Sequence, residues 1–112
     1  LHGPLLVARA TPVRARPSSG EALDKLLAAC TVRLSHGDQQ MDLGQGANVL
    51  DGPLHALLHF VEELQDYAGA PEIKPGDVVT TGTWTDAWPV QPGQQWRADF
   101  AAPLPPLTVR FA

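Results

Sequence analysis

Residues 44–82 constrain the fold of this chain more than any other part of it. The segment starts as a glycine-rich loop, continues as an amphipathic helix pattern, and ends in a Pro-Gly-Asp turn followed by an apolar run rich in threonine. We predict Asp51 as the helix N-cap, Pro53 in the first turn and a stop at Gly69. The apolar side chains that recur at helical spacing are Leu54, Leu57, Leu58, Val61, Leu64 and Ala68. One face of this helix is therefore expected to lie on a core while the other meets water.

The rest of the sequence favours β-structure around that helix. Ten glycines and eleven prolines in 112 residues indicate many short strands and turns. Pro75-Gly76 and Pro92-Gly93 each predict a type II turn that leads into a strand. A short helix is predicted at 21–29, and His36-Gly37-Asp38 predicts a hairpin turn. The predicted strands are 5–8, 31–35, 39–43, 78–83, 95–100 and 107–111. The fold class is α+β and β-rich.

Length and charge exclude several classes of function. A chain of 112 residues forms at most one domain, so residues 1–112 are treated as a single domain or a domain fragment. Twelve acidic residues against eight scattered Lys and Arg argue against a nucleic-acid partner. No apolar run approaches the roughly 20 residues of a membrane span, which argues against a membrane partner. The single Cys30 allows no intrachain disulfide and predicts a cytoplasmic protein, with the thiol as a small core residue.

Two patterns are candidates for chemistry. His55, His59 and Glu62 share one helix face at a spacing that could hold a metal, although a solvated helix face is the favoured interpretation. Thr81, Gly82 and Thr83 lie in a threonine-rich run in which glycine would let a ligand approach the backbone. Threonines that simply suit a strand explain that run equally well. The glycines of residues 44–52 lack the lysine of a phosphate loop. No catalytic residue can be assigned.

Three stretches carry a resemblance to a known family. GQGANVLDGPLHALLHFVEEL, IKPGDVVTTGTWTDAWPVQPGQQWRADF and the final LTVRF resemble the carboxy-terminal part of the 2-keto-4-pentenoate hydratase and 4-oxalocrotonate decarboxylase group, within the fumarylacetoacetate hydrolase superfamily. The resemblance implies part of a mixed β-roll with one main amphipathic helix. It also implies lyase chemistry on a 2-keto acid of the 2-hydroxypentadienoate type, with Mg²⁺ or Mn²⁺ held by acidic residues.

The same resemblance implies how this chain would take part. Thr81, Gly82 and Thr83 match the family's substrate-contacting segment, and Pro53-Leu54 match a buried helix start near the pocket. The acidic metal motif of the family lies upstream and has no match here, so we expect no metal on this chain alone. The chain is expected to be one wall of a 2-keto acid pocket and to pair with a second copy or a complementary upstream segment. The alternative is a non-catalytic subunit or scaffold. A first residue of Leu1 fits a piece that begins within a longer protein.

Overall fold

A computed structural model describes residues 4–12 and 19–112 of the chain. Within them, four antiparallel strands form one sheet in the order β2-β1-β3-β4, and two helices accompany it. The elements are α1 (Gly20–Ala29), β1 (Thr31–His36), β2 (Gln39–Gln45), a 3₁₀ turn (Gly46–Asn48), α2 (Pro53–Asp66), β3 (Gln95–Phe100) and β4 (Leu107–Arg110). The predicted α+β class is confirmed, and every strand pair in this part of the chain is antiparallel.

The first half of the sheet follows the predicted hairpin. β1 and β2 join through a two-residue turn in which Gly37 has a φ of 56°. The register shifts between Leu34 and Ser35, where β2 carries one extra residue, Met41. Because side chains alternate along a strand, this register places Val32 and Leu34 on the same face of the sheet as Gly44 and Asp42. We call this side the inner face.

The inner face continues across β3 and β4. Val32 pairs with Phe100, and His36 pairs with Trp96 and stacks on it at 5.2 Å between ring centroids. Trp96 is 5% exposed, and Val109 faces it from β4. The opposite, outer face is polar and carries an ion pair between Arg97 and Asp99 at 2.8 Å. The sheet therefore has one apolar side to cover, as is common for antiparallel sheets.

The two Pro-Gly turns form as predicted. Gly76 and Gly93 have φ values of 95° and 83°, which a side chain would disfavour. The Asp77 N–H donates to the Lys74 carbonyl at 3.1 Å, and the Gln94 N–H donates to the Gln91 carbonyl at 3.2 Å. The second turn leads into β3. The first leads into residues 77–83, which do not form a strand.

Two predicted strands are wrong. Residues 5–8 and 78–83 form no ladder, and Val7 and Val78 are 66% and 64% exposed. An apolar run becomes a strand only where a neighbouring strand supplies hydrogen-bond partners, and neither run meets one in the described residues. The predicted start of α2 is also wrong, since the N-cap is Gly52. Asp51 lies in the preceding turn with a φ of 66°. In that turn the Gly52 N–H donates to the Val49 carbonyl at 2.7 Å.

Helix α1 forms where it was predicted, beginning one residue earlier at Gly20 and ending at Ala29. The Ser19 hydroxyl accepts a hydrogen bond from the Ala22 N–H at 3.1 Å, which caps the helix. The helix ends before Cys30, which is 3% exposed, so the expectation of a core cysteine is confirmed. Burial raises the pKa of the Cys30 thiol, partly opposed by the backbone of Ala101. The thiol is therefore protonated at neutral pH and contributes to packing.

The core is small for a chain of this length. Among the residues that the structure describes, the buried apolar ones are Cys30, Val32, Val49, Ala56 and Trp96. The accessible surface is 8616 Å², whereas a compact protein of 12.0 kDa exposes about 6,000 Å². The radius of gyration is 15.6 Å, against about 13 Å for a compact domain. Much apolar surface thus stays uncovered in this chain by itself.

Helix α2 shows where part of that surface lies. Ala56 is its one buried residue, and Leu58 is 55% exposed, so the expected burial of the apolar face is incomplete. Between α2 and residues 70–73 runs an apolar groove of about 630 Å³, lined chiefly by Leu57, Val61, Leu64, Ala70, Pro71 and Ile73. In the described residues, no helix is both long and apolar enough to cross a membrane.

Candidate functional site

A polar cleft of about 530 Å³ lies where residues 83–86 cross the β2 side of the sheet. It is the place where a residue of the threonine-rich segment meets polar side chains from other parts of the chain. The lining residues are Asp42, Leu43, Asn48, Thr83, Trp84, Thr85 and Asp86. One wall comes from β2 and the 3₁₀ turn, and the other from the segment after Gly82.

Asp42 joins the two walls of the cleft. Its Oδ2 accepts hydrogen bonds from the Asp86 N–H at 3.0 Å and from the Trp88 Nε1–H at 3.1 Å. Its Oδ1 accepts from the Leu43 N–H at 2.8 Å. The Trp88 hydrogen bond, then that of the Asp86 N–H, lower the pKa of Asp42, partly opposed by its removal from water. Asp42 is consequently a carboxylate at neutral pH.

The backbone of Trp84 is held at two further points. The Asn48 side-chain amide donates to the Trp84 carbonyl at 2.8 Å. Gly44 lies so close to that carbonyl that an added Cβ would overlap the Trp84 oxygen and come within 2.7 Å of its carbonyl carbon. The Trp84 ring meets Phe100 edge-on, with 5.7 Å between the ring centroids. Segment 83–88 is therefore fastened to the inner face, and Gly44 is glycine because backbone passes over it.

The three residues predicted to contact substrate have different surroundings. Thr83 lines the cleft and is exposed, whereas half-buried Thr81 is not among its lining residues. Gly82 has a φ of 122°, and an added Cβ would lie 2.9 Å from Cγ1 of the buried Val49. The close approach expected at Gly82 is thus to another part of this chain. Pro53 and Leu54, expected at a buried helix start, are half-buried.

The two histidines of α2 do not converge on a common metal site in the described residues. His55 Nε2 lies 3.7 Å from Asp24 Oδ2 of α1, and His59 Nδ1 lies 3.9 Å from Glu62 Oε2. Each histidine thus has its own acidic neighbour, which fits the favoured interpretation of a polar helix face. Across residues 4–12 and 19–112, no three His, Cys, Asp or Glu side chains converge on a point where a metal could sit.

The electrostatics of the cleft are acidic. Asp42 and Asp86 line it, and among residues 4–12 and 19–112 no Lys, Arg or His does so. Both Asp42 oxygens already accept N–H groups, which leaves that carboxylate poorly suited to bind a cation. A hard divalent cation needs several converging oxygen ligands, so the described residues do not fit a Mg²⁺ or Mn²⁺ site on their own.

Four residues of the cleft and its attachments were not predicted from the sequence: Asp42, Asn48, Asp86 and Trp88. Their contacts join residues 36 to 46 positions apart, and no local pattern encodes such a pairing. The available signal was indirect. Gly44 was predicted in a glycine-rich loop, and the structure places it within β2, where a glycine marks the close approach of another backbone segment.

Comparison with solved structures confirms the resemblance. The chain is similar to 4-oxalocrotonate decarboxylase from Pseudomonas putida G7 complexed with magnesium and adipate, at 28% identity and a TM-score of 0.68. The same enzyme complexed with calcium and acetate matches at 29% identity and the same TM-score. Both matches cover 77% of this chain and 32% of the decarboxylase chain, so this chain corresponds to about a third of that enzyme. No family model matches the chain, and no curated protein does.

Proposed function

We propose that this chain is the carboxy-terminal part of a hydratase-like or decarboxylase-like lyase and supplies one wall of its 2-keto acid pocket. The observation that carries the proposal is the shared fold with 4-oxalocrotonate decarboxylase at 28% identity, with a polar cleft at the threonine-rich segment. Together with the rest of that enzyme, this chain would form the mixed β-roll expected from the sequence. The protein would act on a small-molecule 2-keto acid in the cytoplasm.

In this proposal Thr81, Gly82 and Thr83 form the substrate-binding segment, with Thr83 as the residue that reaches the ligand. An exposed hydroxyl on a backbone fastened by Asn48 and Asp42 can donate to a carboxylate or carbonyl oxygen without further ordering. Gly82 has a different role. It lets the segment pass directly over Val49, which sets the position of Thr83 in the cleft.

A metal, where present, would be held by acidic residues of the upstream part of the complete enzyme. The solved decarboxylase is complexed with magnesium in one structure and with calcium in another. Such a cation would supply Lewis-acid polarisation of the keto acid. It would also offset the acidic lining, because an anionic substrate is repelled by Asp42 and Asp86 unless a positive charge lies nearby.

The test is an assay of the native polypeptide that contains this chain. We expect the purified protein to consume 4-oxalocrotonate or a related 2-keto acid when Mg²⁺ is supplied. The loss of the substrate's ultraviolet absorbance measures this reaction. EDTA should abolish the turnover. A protein that consumes none of these acids in the presence of Mg²⁺ or Mn²⁺ would contradict the proposal.

One observation favours a second candidate, a non-catalytic subunit or scaffold that keeps the fold. The described residues contain no cluster able to hold a metal, and the lining of the cleft is acidic. A scaffold would bind another protein chain and leave the keto acids unchanged. The same assay separates the two candidates, since only the first predicts turnover.

A further inference from the structure

We propose that Asp42 is a positioning residue for the pocket wall, and that its carboxylate sets the place of Thr83 through the Asp86 N–H and the Trp88 indole. This inference rests on the proposed function for its link to substrate. The structural part of the inference depends only on the hydrogen bonds of the Asp42 carboxylate.

The geometry assigns Asp42 two attachments to segment 83–88. Its Oδ2 receives two donors from segment 83–88, at 3.0 Å from the Asp86 N–H and 3.1 Å from Trp88 Nε1. The pairing spans 44 and 46 positions in sequence and joins an edge strand to a segment without secondary structure. A segment without ladder hydrogen bonds depends on such contacts for a single conformation.

The charge of Asp42 strengthens this attachment. Hydrogen bonds to an ionised carboxylate are about twice as strong as those between neutral groups. In the described part of the chain, the other titratable side chain that lines the cleft is Asp86, whose own backbone N–H is one of the donors. Protonating Asp42 would weaken acceptance by Oδ2, and Trp84 would then keep its Asn48 bond while the Asp86 and Trp88 contacts loosen.

The consequence for the cleft follows from the order of the residues. Thr83 lies three positions before Asp86, within the same segment. Gly82 is fixed on its other side by the contact with Val49. The hydroxyl of Thr83 is thus presented from a segment held at Gly82, Trp84 and Asp86, and loss of Asp42 releases the attachment at Asp86 while the other two remain. Substrate binding should weaken because the segment must be ordered during binding.

The structural arm of the test uses the indole N–H signals of the three tryptophans in the ¹⁵N-labelled chain. Trp88→Phe identifies the Trp88 signal. That signal should move as the pH falls from about 7 to about 3, and Asp42→Asn should shift it at neutral pH and remove the titration. Asp99→Asn, on the outer face beside Arg97, is the matched control and should leave the signal in place. A Trp88 signal that Asp42→Asn leaves unchanged overturns the proposal.

The functional arm uses the native polypeptide and a 2-keto acid substrate. Asp42→Asn should raise KM about five- to tenfold and change kcat less, because the lost ordering affects binding before chemistry. An unchanged KM in an active enzyme overturns the positioning role. A wild-type protein that turns over no keto acid contradicts the proposed function instead, and the tryptophan signals then decide on the structural role of Asp42 alone.

Discussion

Gly82 lies directly against Val49, and an added Cβ at position 82 would come 2.9 Å from Cγ1 and 3.3 Å from Cγ2 of that buried valine. The contact joins the threonine-rich segment to the turn that precedes α2. Two features therefore require glycine at position 82. One is this contact, and the other is the φ of 122°, which disfavours any side chain. The position of the proposed substrate-binding segment is therefore set by packing at Gly82.

Replacing Gly82 with alanine should destabilise the chain. Backbone strain at a positive φ and the overlap with Val49 together are expected to cost about 2–4 kcal/mol in the free energy of unfolding. Urea unfolding followed by tryptophan fluorescence measures this loss. Gly20→Ala is the control, because nothing lies within 4 Å of an added Cβ in the first turn of α1. A Gly82→Ala protein as stable as the control would show that the contact with Val49 is not formed.

A second glycine tests how segment 83–88 is fastened. Gly44→Ala would place a Cβ on the Trp84 carbonyl, which has to move away. We expect the Asn48 to Trp84 hydrogen bond to break and the segment to detach, while the hairpin of β1 and β2 persists. Amide hydrogen exchange should then rise in residues 83–88 and stay slow in β1. Protection in the segment equal to that of the unmodified chain would contradict the predicted detachment.

Acid should release the same segment. The folded-state pKa of Asp42 is lowered, so its carboxylate contributes stability above the ordinary pKa of an aspartate, which is about 4. That contribution falls as the pH drops through the lowered folded-state value. Melting temperatures measured from about pH 6 to pH 2 should decrease less steeply for Asp42→Asn than for the unmodified chain. Parallel pH profiles would show that the hydrogen bonds of the Asp42 carboxylate do not stabilise the folded chain.

The uncovered apolar surface predicts association. A surface about 2,600 Å² larger than that of a compact protein is more than a standard interface buries, which is about 1,600 Å². Light scattering at tens of micromolar should report a dimer or larger species, or a complex with a complementary upstream segment. Leu58→Glu on the apolar face of α2 should weaken this association, and Glu63→Gln on the polar face should leave it unchanged. A stable monomer with no partner would contradict this prediction.

Much of the local structure could be predicted from the sequence. The period of two in β1 and the two Pro-Gly turns identified those elements because their signals lie within a few residues. The run at 78–83 is rich in valine and threonine, which favour strands, yet forms no strand, because strand formation depends on a partner elsewhere in the fold. Of the candidate site, Thr83 was predicted and Asp42 was not. Asp42 acts through Trp88, 46 positions away, and neither residue carries a pattern that indicates the other.

The most direct test of the pocket wall is a kinetic comparison of Thr83→Val with Thr108→Val in the native polypeptide that contains this chain. A hydroxyl that bonds a charged ligand group contributes about 1.5–3 kcal/mol, so Thr83→Val should lower kcat/KM about ten- to a hundredfold. Thr108, exposed on the outer face of β4, should tolerate valine without effect. Melting temperatures should be alike for both variants, because the exposed Thr83 hydroxyl is not expected to support the fold. Equal kcat/KM values for Thr83→Val and the unmodified protein would remove Thr83 from the site and contradict the account.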